Sequence, residues 1–246
     1  MKKHLIVITG ATASGKTSLA IQLANHFQTE ILSADSRQFF KEMNIGTAKP
    51  TLEELKQAKH HFVDTLSIHD EYNVGQYERD ASVLLEELFQ KHDTVIMAGG
   101  SGLYIKAVCE GLDHFPKVDE QHRTALRKLF AEKGIEVLQE ELKRLDSVYY
   151  NEVDLQNPQR VIRALEICRG TGKAYSSFRT STDAERPFKT TKIAIKWERE
   201  QLYDRINRRV DLMLEAGLEQ EAKSLFKFNH LNALQTVGYQ EWFDYF

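Results

Sequence analysis

The sequence is poor in cysteine, in long apolar runs and in net charge, and each shortage closes off a class of protein. Two cysteines, Cys109 and Cys168, stand far apart among 246 residues with no partner motif. That excludes a disulfide framework and a cysteine metal cluster, and it suits buried thiols in a reducing cytosol. No stretch approaches the roughly 20 apolar residues that a bilayer requires, so no membrane partner is expected. Lys2-Lys3 before Leu5-Ile6-Val7-Ile8 has the order of a secretory signal. The apolar run is too short for one and passes straight into a glycine-bounded loop, so it reads as a strand. A net charge of −3 argues against indiscriminate nucleic-acid binding. There is neither an internal repeat nor a low-complexity tract. With 41% hydrophobic and 28% charged residues this is an ordinary globular chain, long enough for one large domain or a core carrying an insertion.

What the sequence does have begins at Gly10-Ala11-Thr12-Ala13-Ser14-Gly15-Lys16-Thr17. The apolar run 5–8 precedes it, and Leu19, Ala20, Leu23, Ala24 and Phe27 follow at helical spacing, so the order is strand, loop, helix. Backbone N–H groups of such a loop cradle phosphate oxygens, helped by the positive end of the helix. Lys16 adds a point charge toward the outer phosphates, and the Thr17 hydroxyl can ligate Mg²⁺. The chain is expected to bind a phosphorylated ligand; the motif alone does not name the reaction.

Glu30 to Ala34 reads as a second strand, with Asp35-Ser36-Arg37-Gln38 at its end. In a parallel α/β sheet the strand ends beside the phosphate loop collect the chemistry. An acid there can hold Mg²⁺, act as a base, or merely cap the next turn. His60-His61 has no further ligands at metal spacing, which favours packing or loop hydrogen bonding. Tyr77, Ala81, Leu84, Leu85 and Leu88 mark an amphipathic helix, 94–98 a buried strand, and Gly99-Gly100-Ser101-Gly102 a second glycine-rich turn. That strand ends without the acid that organises Mg²⁺ in nucleotide hydrolases, and no Asn-Lys-x-Asp or Asp-x-x-Gly occurs.

From 113 to 189 the pattern is helical without intervening buried strands, predicting an all-helical insertion in a discontinuous core of 1–112 and 190–246. One helix face carries Leu126, Leu129 and Phe130, another Ile135, Leu138, Leu142 and Leu145. Asn157-Pro158 opens a helix whose Val161, Leu165 and Cys168 face inward while Arg160 and Arg163 do not, and Gly170 and Gly172 end it. Residues 176–187 read as loop. Between Asn157 and Lys192 eight Lys/Arg face three acids, a local excess of five positive charges that suits a polyanion or a solvated surface. The core resumes with an alternating strand at 192–197. A helix follows with Leu202, Ile206, Val210 and Met213 on one face, closed by Gly217, and then another from Leu218 to Phe228. Arg205, Arg208 and Arg209 read equally as surface charge or as site residues.

Taken together, these stretches resemble the tRNA dimethylallyltransferase (tRNA isopentenyltransferase) family. The likeness lies in the loop 10–17, Ser33-Ala34-Asp35-Ser36-Arg37-Gln38, Asn44-Ile45-Gly46-Thr47-Ala48-Lys49-Pro50 and Gly99-Gly100-Ser101-Gly102-Leu103-Tyr104. It continues through Asn157-Pro158-Gln159-Arg160-Val161-Ile162-Arg163-Ala164-Leu165-Glu166, Arg205-Ile206-Asn207-Arg208-Arg209 and Thr236-Val237-Gly238-Tyr239. The resemblance implies a P-loop NTPase-like α/β core with a parallel sheet flanked by helices, and an inserted helical tRNA-binding domain. It implies transfer of the dimethylallyl group from dimethylallyl diphosphate to N6 of the adenosine 3′ of the tRNA anticodon, position 37, with release of pyrophosphate. The loop, of the form usually termed nucleotide- or ATP-binding, then holds an isoprenoid diphosphate.

By the same resemblance Asp35 is the base that takes the N6 proton, with Ser101 beside the reacting centre and Arg209 on the leaving diphosphate. Gly10 to Thr17 bind the diphosphate, and Thr17 takes Mg²⁺. Asp35, Ser36, Arg37, Gln38, Ser101, Arg123, Gln159, Arg160, Val161, Ile162 and Arg163 touch tRNA. Three departures from the family pattern stand out. Ala11 replaces a common Pro, Phe39-Phe40 an aliphatic–Tyr pair, and Ser101 the usual Thr. The family also continues with a basic helix bearing a Lys-Arg-Gln-type motif, whereas this chain ends at Phe246. The expectation is an intact active-site half in a cytoplasmic monomer, the chain being either truncated or dependent on its remaining surfaces for tRNA affinity. A P-loop small-molecule or nucleotide kinase, an adenylate isopentenyltransferase and a non-enzymatic RNA-binding module are the rival readings.

Overall fold

The computed structural model describes residues 3–179 and 185–246; Lys2 of the signal-like N-terminus and residues 180–184 of the expected loop lie outside the described residues. Alternating strands and helices come first: β1 (Lys3–Gly10), α1 (Lys16–Phe27), β2 (Ile31–Ser33), α2 (Leu52–Gln57), β3 (His60–His61), α3 (Val74–Lys91), β4 (Thr94–Ala98) and α4 (Gly102–Glu110). Four helices follow, α5 (Glu120–Lys133), α6 (Glu136–Leu145), α7 (Ser147–Glu152) and α8 (Pro158–Thr171). The chain then returns through β5 (Phe188–Ile195), α9 (Arg199–Glu215), α10 (Leu218–Leu225) and α11 (Gln240–Tyr245). The five strands form one parallel sheet in the order β3-β2-β4-β1-β5.

Period-two alternation in the strands builds two cores. Leu5, Val7, Leu32, Val95 and Met97 point to one face and pack with Tyr77, Ala81 and Leu85 of α3 and Ile105 and Val108 of α4. Ile6, Ile8, Ile31 and Ile96 point to the other and meet Ala20, Ile21 and Ala24 of α1. Each such fully buried aliphatic side chain contributes about 1.5–3 kcal/mol. The sheet is therefore covered on both faces, and function is left to its edges and ends. No helix among the described residues is long and apolar enough to cross a membrane.

Contacts divide the chain into two compact units, 1–111 with 184–246 and 112–183. In the second unit Leu126, Leu138, Leu142, Val161, Ala164 and Leu165 form the core. Leu145, expected on the same face as Leu138 and Leu142, is exposed, because α6 ends there. Asn157 caps α8 by accepting the Arg160 N–H, with Pro158 at the first helical position. Gly172 ends that helix at φ 69°, but Gly170 lies inside it: a Cβ there would stand 2.5 Å from Val118, so that glycine serves packing.

Three further expectations change. His60-His61 makes the expected hydrogen bonds, to the Ala58 carbonyl (2.8 Å) and Glu30 (2.5 Å), but from a two-residue edge strand and not from a loop. The last strand begins at Phe188 and ends at Ile195, so Trp197 lies beyond it; as an edge strand pairing with β1 alone, β5 has no fully buried residue. The helix α9 buries none of its residues either, and Val210 is exposed while Leu202, Ile206 and Met213 are half-buried.

Candidate active site

The carboxyl ends of β1, β2 and β4 converge on one cleft of about 570 Å³. Its wall is the loop 10–18 together with Asp35, Gln38, Ala48, Gly100 and three arginines of α9, Arg205, Arg208 and Arg209. The start of α1 leaves open donors that an anion could use. Thr51 and Asn73 cap α2 and α3 through capping boxes, whereas α1 opens on Gly15 at φ 96° with no side-chain cap and no acid in its first turn. Among the described residues, the N–H groups of Gly15, Lys16, Thr17 and Ser18 donate to no atom of the protein. Four open donors and the positive end of a helix dipole face the same space. The Ser14 hydroxyl, 2% exposed, also lacks a partner, which a phosphate oxygen would supply.

Four cations border the loop. Lys16 spans it, donating to the carbonyls of Gly10 (3.1 Å) and Ala11 (2.8 Å). Burial lowers the Lys16 pKa from its ordinary value, Asp35 opposes this, and Arg209 adds to it. Arg209 is likewise lowered by burial, with Asp35 as its counter-charge. An anionic ligand would favour the charged form of both groups, against the burial that lowers them and the Arg209 charge beside Lys16. Arg205 donates through Nε to the Ala13 carbonyl at 2.8 Å.

Asp35 stands two residues past the end of β2, with Gly100 against it: a Cβ on Gly100 would lie 3.8 Å from Asp35 Oδ2. Its Oδ1 accepts the Arg37 N–H at 3.1 Å. The two strand ends are laced together, as Ala34 donates to the Ala98 carbonyl at 2.8 Å and Ser101 to the Ala34 carbonyl at 3.0 Å. The Ser101 hydroxyl accepts the Ser36 N–H at 2.9 Å and lies 3.1 Å from the Ser36 hydroxyl. Ser101 thus holds the residue next to Asp35. Among the described residues no three His, Cys, Asp or Glu side chains gather to hold a metal.

The structure uses some expected tRNA-facing groups internally. Arg37 binds the carbonyls of Asn232 (2.9 Å), Ala233 (3.0 Å) and Gln235 (3.2 Å). Gln38 donates to the carbonyls of Thr47 (3.2 Å) and Ala48 (3.1 Å), anchoring the loop 44–50 whose Ala48 lines the cleft. That loop has a second anchor that sequence reasoning missed. Glu221 accepts the N–H groups of Asn44, Ile45 and Gly46 and the hydroxyl of the buried Tyr239 (2.6 Å). The Ile-Gly-Thr and Thr-Val-Gly-Tyr stretches meet there, and a Cβ on Gly46 would stand 2.6 Å from the Tyr239 ring. Trp197 was also missed; its indole N–H donates to the Ser14 carbonyl at 2.9 Å.

In the helical unit, Tyr149, Asn157, Gln159, Arg160, Arg163 and Tyr175 line a separate hollow of about 370 Å³. Arg163 lies over Phe115, which stacks on Tyr175. Arg123 and Arg163 both pair with the buried Glu166, at 3.1 and 3.2 Å. Val161 and Ile162, expected among the tRNA contacts, are buried side chains of this unit's core, so they space the exposed Gln159 and Arg160 rather than reach outward. The basic excess over 157–192 is mostly compensated: Arg163, Arg169, Arg179, Arg186 and Lys192 pair with Glu166, Glu141, Glu152, Glu78 and Glu110.

Comparison with known proteins agrees with this geometry. The family model described as IPP transferase matches residues 38–246. The tRNA dimethylallyltransferase of Christiangramia forsetii is 56% identical over the whole chain, which spans 82% of that relative. The tRNA dimethylallyltransferase 1 of Phocaeicola vulgatus is 52% identical with the same coverage. Among solved structures, the tRNA isopentenylpyrophosphate transferase of Bacillus halodurans superimposes with a TM-score of 0.69 at 35% identity, over 99% of this chain and 77% of that one. A eukaryotic dimethylallyltransferase acting on tRNA reaches 0.80 at 27% identity, over 99% of this chain and 63% of the other. An uncapped helix after the glycine-bounded loop, a carboxylate at the neighbouring strand end and a match to these transferases over the whole of this chain lead to one statement: the chain belongs to the tRNA dimethylallyltransferase (IPP transferase) family.

Proposed function

We propose that the chain transfers the dimethylallyl group of dimethylallyl diphosphate to N6 of the adenosine 3′ of a tRNA anticodon, position 37, releasing pyrophosphate. The observation that carries this reading is the cleft itself, where unpaired N–H groups, four cations and Asp35 share one wall. Breaking the allylic C–O bond leaves charge on the diphosphate. Lys16, Arg205, Arg208 and Arg209 and the free N–H groups of α1 offset that charge as it develops. The N6 amine is a weak nucleophile whose proton becomes acidic only as the C–N bond forms, so an ordinary carboxylate suffices, and Asp35 accepts it.

The residues fit Mg²⁺. The Thr17 hydroxyl, a hard oxygen donor at the start of α1, would hold the cation. When bound, Mg²⁺ supplies charge neutralisation at the leaving group. The adenine must leave its stack to enter the cleft. Gln159, Arg160, Arg163 and the aromatic pair Tyr149 and Tyr175 offer stacking and charge for an unpaired anticodon loop. A tRNA acceptor supports a cytoplasmic site of action.

The test uses labelled dimethylallyl diphosphate, Mg²⁺ and unmodified tRNA, with digestion of the product to nucleosides. N6-prenylated adenosine is expected, and Asp35→Ala should lose it while pyrophosphate binding persists. Transfer to free AMP in preference to tRNA, or phosphate release from a nucleotide, would replace this reading with one of its rivals.

A further inference from the structure

The phosphate loop is held from behind by two residues that lie almost two hundred positions away in sequence. Trp197 donates its indole N–H to the Ser14 carbonyl at 2.9 Å, and Arg205 donates Nε–H to the Ala13 carbonyl at 2.8 Å. The guanidinium of Arg205 lies over the Trp197 ring, 4.5 Å from its centroid, so the two donors form one bracket. Between them they fix consecutive peptide units. Ala13 sits at φ 61°, a left-handed conformation that a residue with a Cβ keeps only where its surroundings over-determine it. Past the bracket, Arg205 Nη2 lies 3.8 Å from where a Cβ on Gly15 would stand, at the mouth of the cleft.

Trp197 lies in the turn between β5 and α9 and is 37% exposed, so it is not a core residue holding the sheet together. Its indole N–H nevertheless finds a backbone acceptor in the loop that carries the open N–H groups. We infer that Trp197 is a positioning residue for the leaving diphosphate: with Arg205 it holds the outer carbonyls of the phosphate loop. That sets the loop's free N–H groups and the Arg205 guanidinium toward one anion. The inference rests on the diphosphate reading of the cleft. It predicts that Trp197 acts on diphosphate affinity and turnover and leaves the tRNA KM alone.

The chain has two tryptophans, and Trp242 packs in the cluster around Tyr239, outside the cleft wall. A Trp242→Phe background therefore makes Trp197 the single indole reporter. Adding Mg²⁺ and inorganic pyrophosphate should change its emission with the same midpoint that calorimetry gives for binding. Trp197→Phe keeps a ring under Arg205 and removes the N–H donor. It should raise the pyrophosphate Kd about five- to tenfold, the loss of one hydrogen bond, and lower kcat, with the melting temperature and tRNA KM unchanged. Unaltered pyrophosphate Kd and kcat in Trp197→Phe would overturn the inference while the diphosphate reading stands. A fall in melting temperature with tRNA KM rising in step would also overturn it, in favour of a general structural role. Failure of the unaltered chain to bind pyrophosphate in calorimetry would overturn the diphosphate reading and this inference with it.

Discussion

Gly99 is the position where a single methyl group should do the most damage. A Cβ there would stand 2.2 Å from the Ala34 carbonyl oxygen and 2.3 Å from its carbon, where real side chains keep at least 3.0 Å. The obstacle is backbone, so no rotamer relieves it, and the ends of β2 and β4 must part by nearly one ångström. Two hydrogen bonds cross that gap, Ala34 to Ala98 and Ser101 to Ala34. Weakening them costs about 1 kcal/mol each, and the overpacking adds about 1–3 kcal/mol. The sum, about 3–5 kcal/mol, corresponds to a melting temperature lower by roughly 6–20 °C for a chain of this size. The same displacement separates Asp35 from Ser101, and a misplacement of about 1 Å at reacting groups can cost about 100-fold in rate. Gly102 is the control. Nothing lies within 4 Å of its Cβ position and it opens α4, so Gly102→Ala should be neutral or stabilise by up to about 1 kcal/mol. Calorimetric melting and single-turnover prenyl transfer measure both variants. Gly99→Ala with unaltered melting and a rate within about threefold of the parent would refute the close-approach argument.

Lys16 should make diphosphate binding sensitive to alkaline pH. Its pKa in the free protein lies below the ordinary 10.5 because of burial, and a bound diphosphate raises it again. Binding then takes up a proton, so affinity should fall by up to about tenfold per pH unit as pH rises through the free-protein pKa. In the unliganded protein the sign reverses, since the unfolded chain binds the proton more tightly and stability rises across the same window. Lys16→Met should abolish the affinity slope, and calorimetric titrations along a pH series read it; a slope that survives assigns it to another group. Glu221→Ala leaves three N–H groups and the buried Tyr239 hydroxyl without an acceptor, and should cost about 3–5 kcal/mol. Tyr239→Phe removes one of those four bonds and should cost only about 1–2 kcal/mol. Equal losses in denaturant unfolding would place the anchor in Tyr239 instead.

The elements that were legible in the sequence are those with local causes. Leu5 to Ile8 and 94–98 are continuous apolar runs, as strands buried on both faces must be, and Asn157-Pro158 carries its own cap chemistry. Gly170 was misread because a glycine near a helix end looks like a stop whether it terminates the helix or makes room for Val118. The basic excess of 157–192 stayed open between a polyanion site and a solvated surface for a related reason: Glu78, Glu110, Glu141 and Glu152, which pair with four of its cations, lie outside the segment.

By itself the sequence determined the phosphate loop, the acid at the second strand end and the helical insertion. Those follow from residue type and short-range spacing, which survive without knowledge of distant partners. Only the tertiary structure decided what stands behind them. Trp197 and Arg205 reach the carbonyls of residues 13 and 14, and Glu221 reaches the N–H groups of 44–46. Val161 and Ile162 turn into a core while Gln159 and Arg160 stay exposed. A backbone carbonyl or N–H is the same in every residue, so no pattern of side chains announces which distant donor or acceptor will find it.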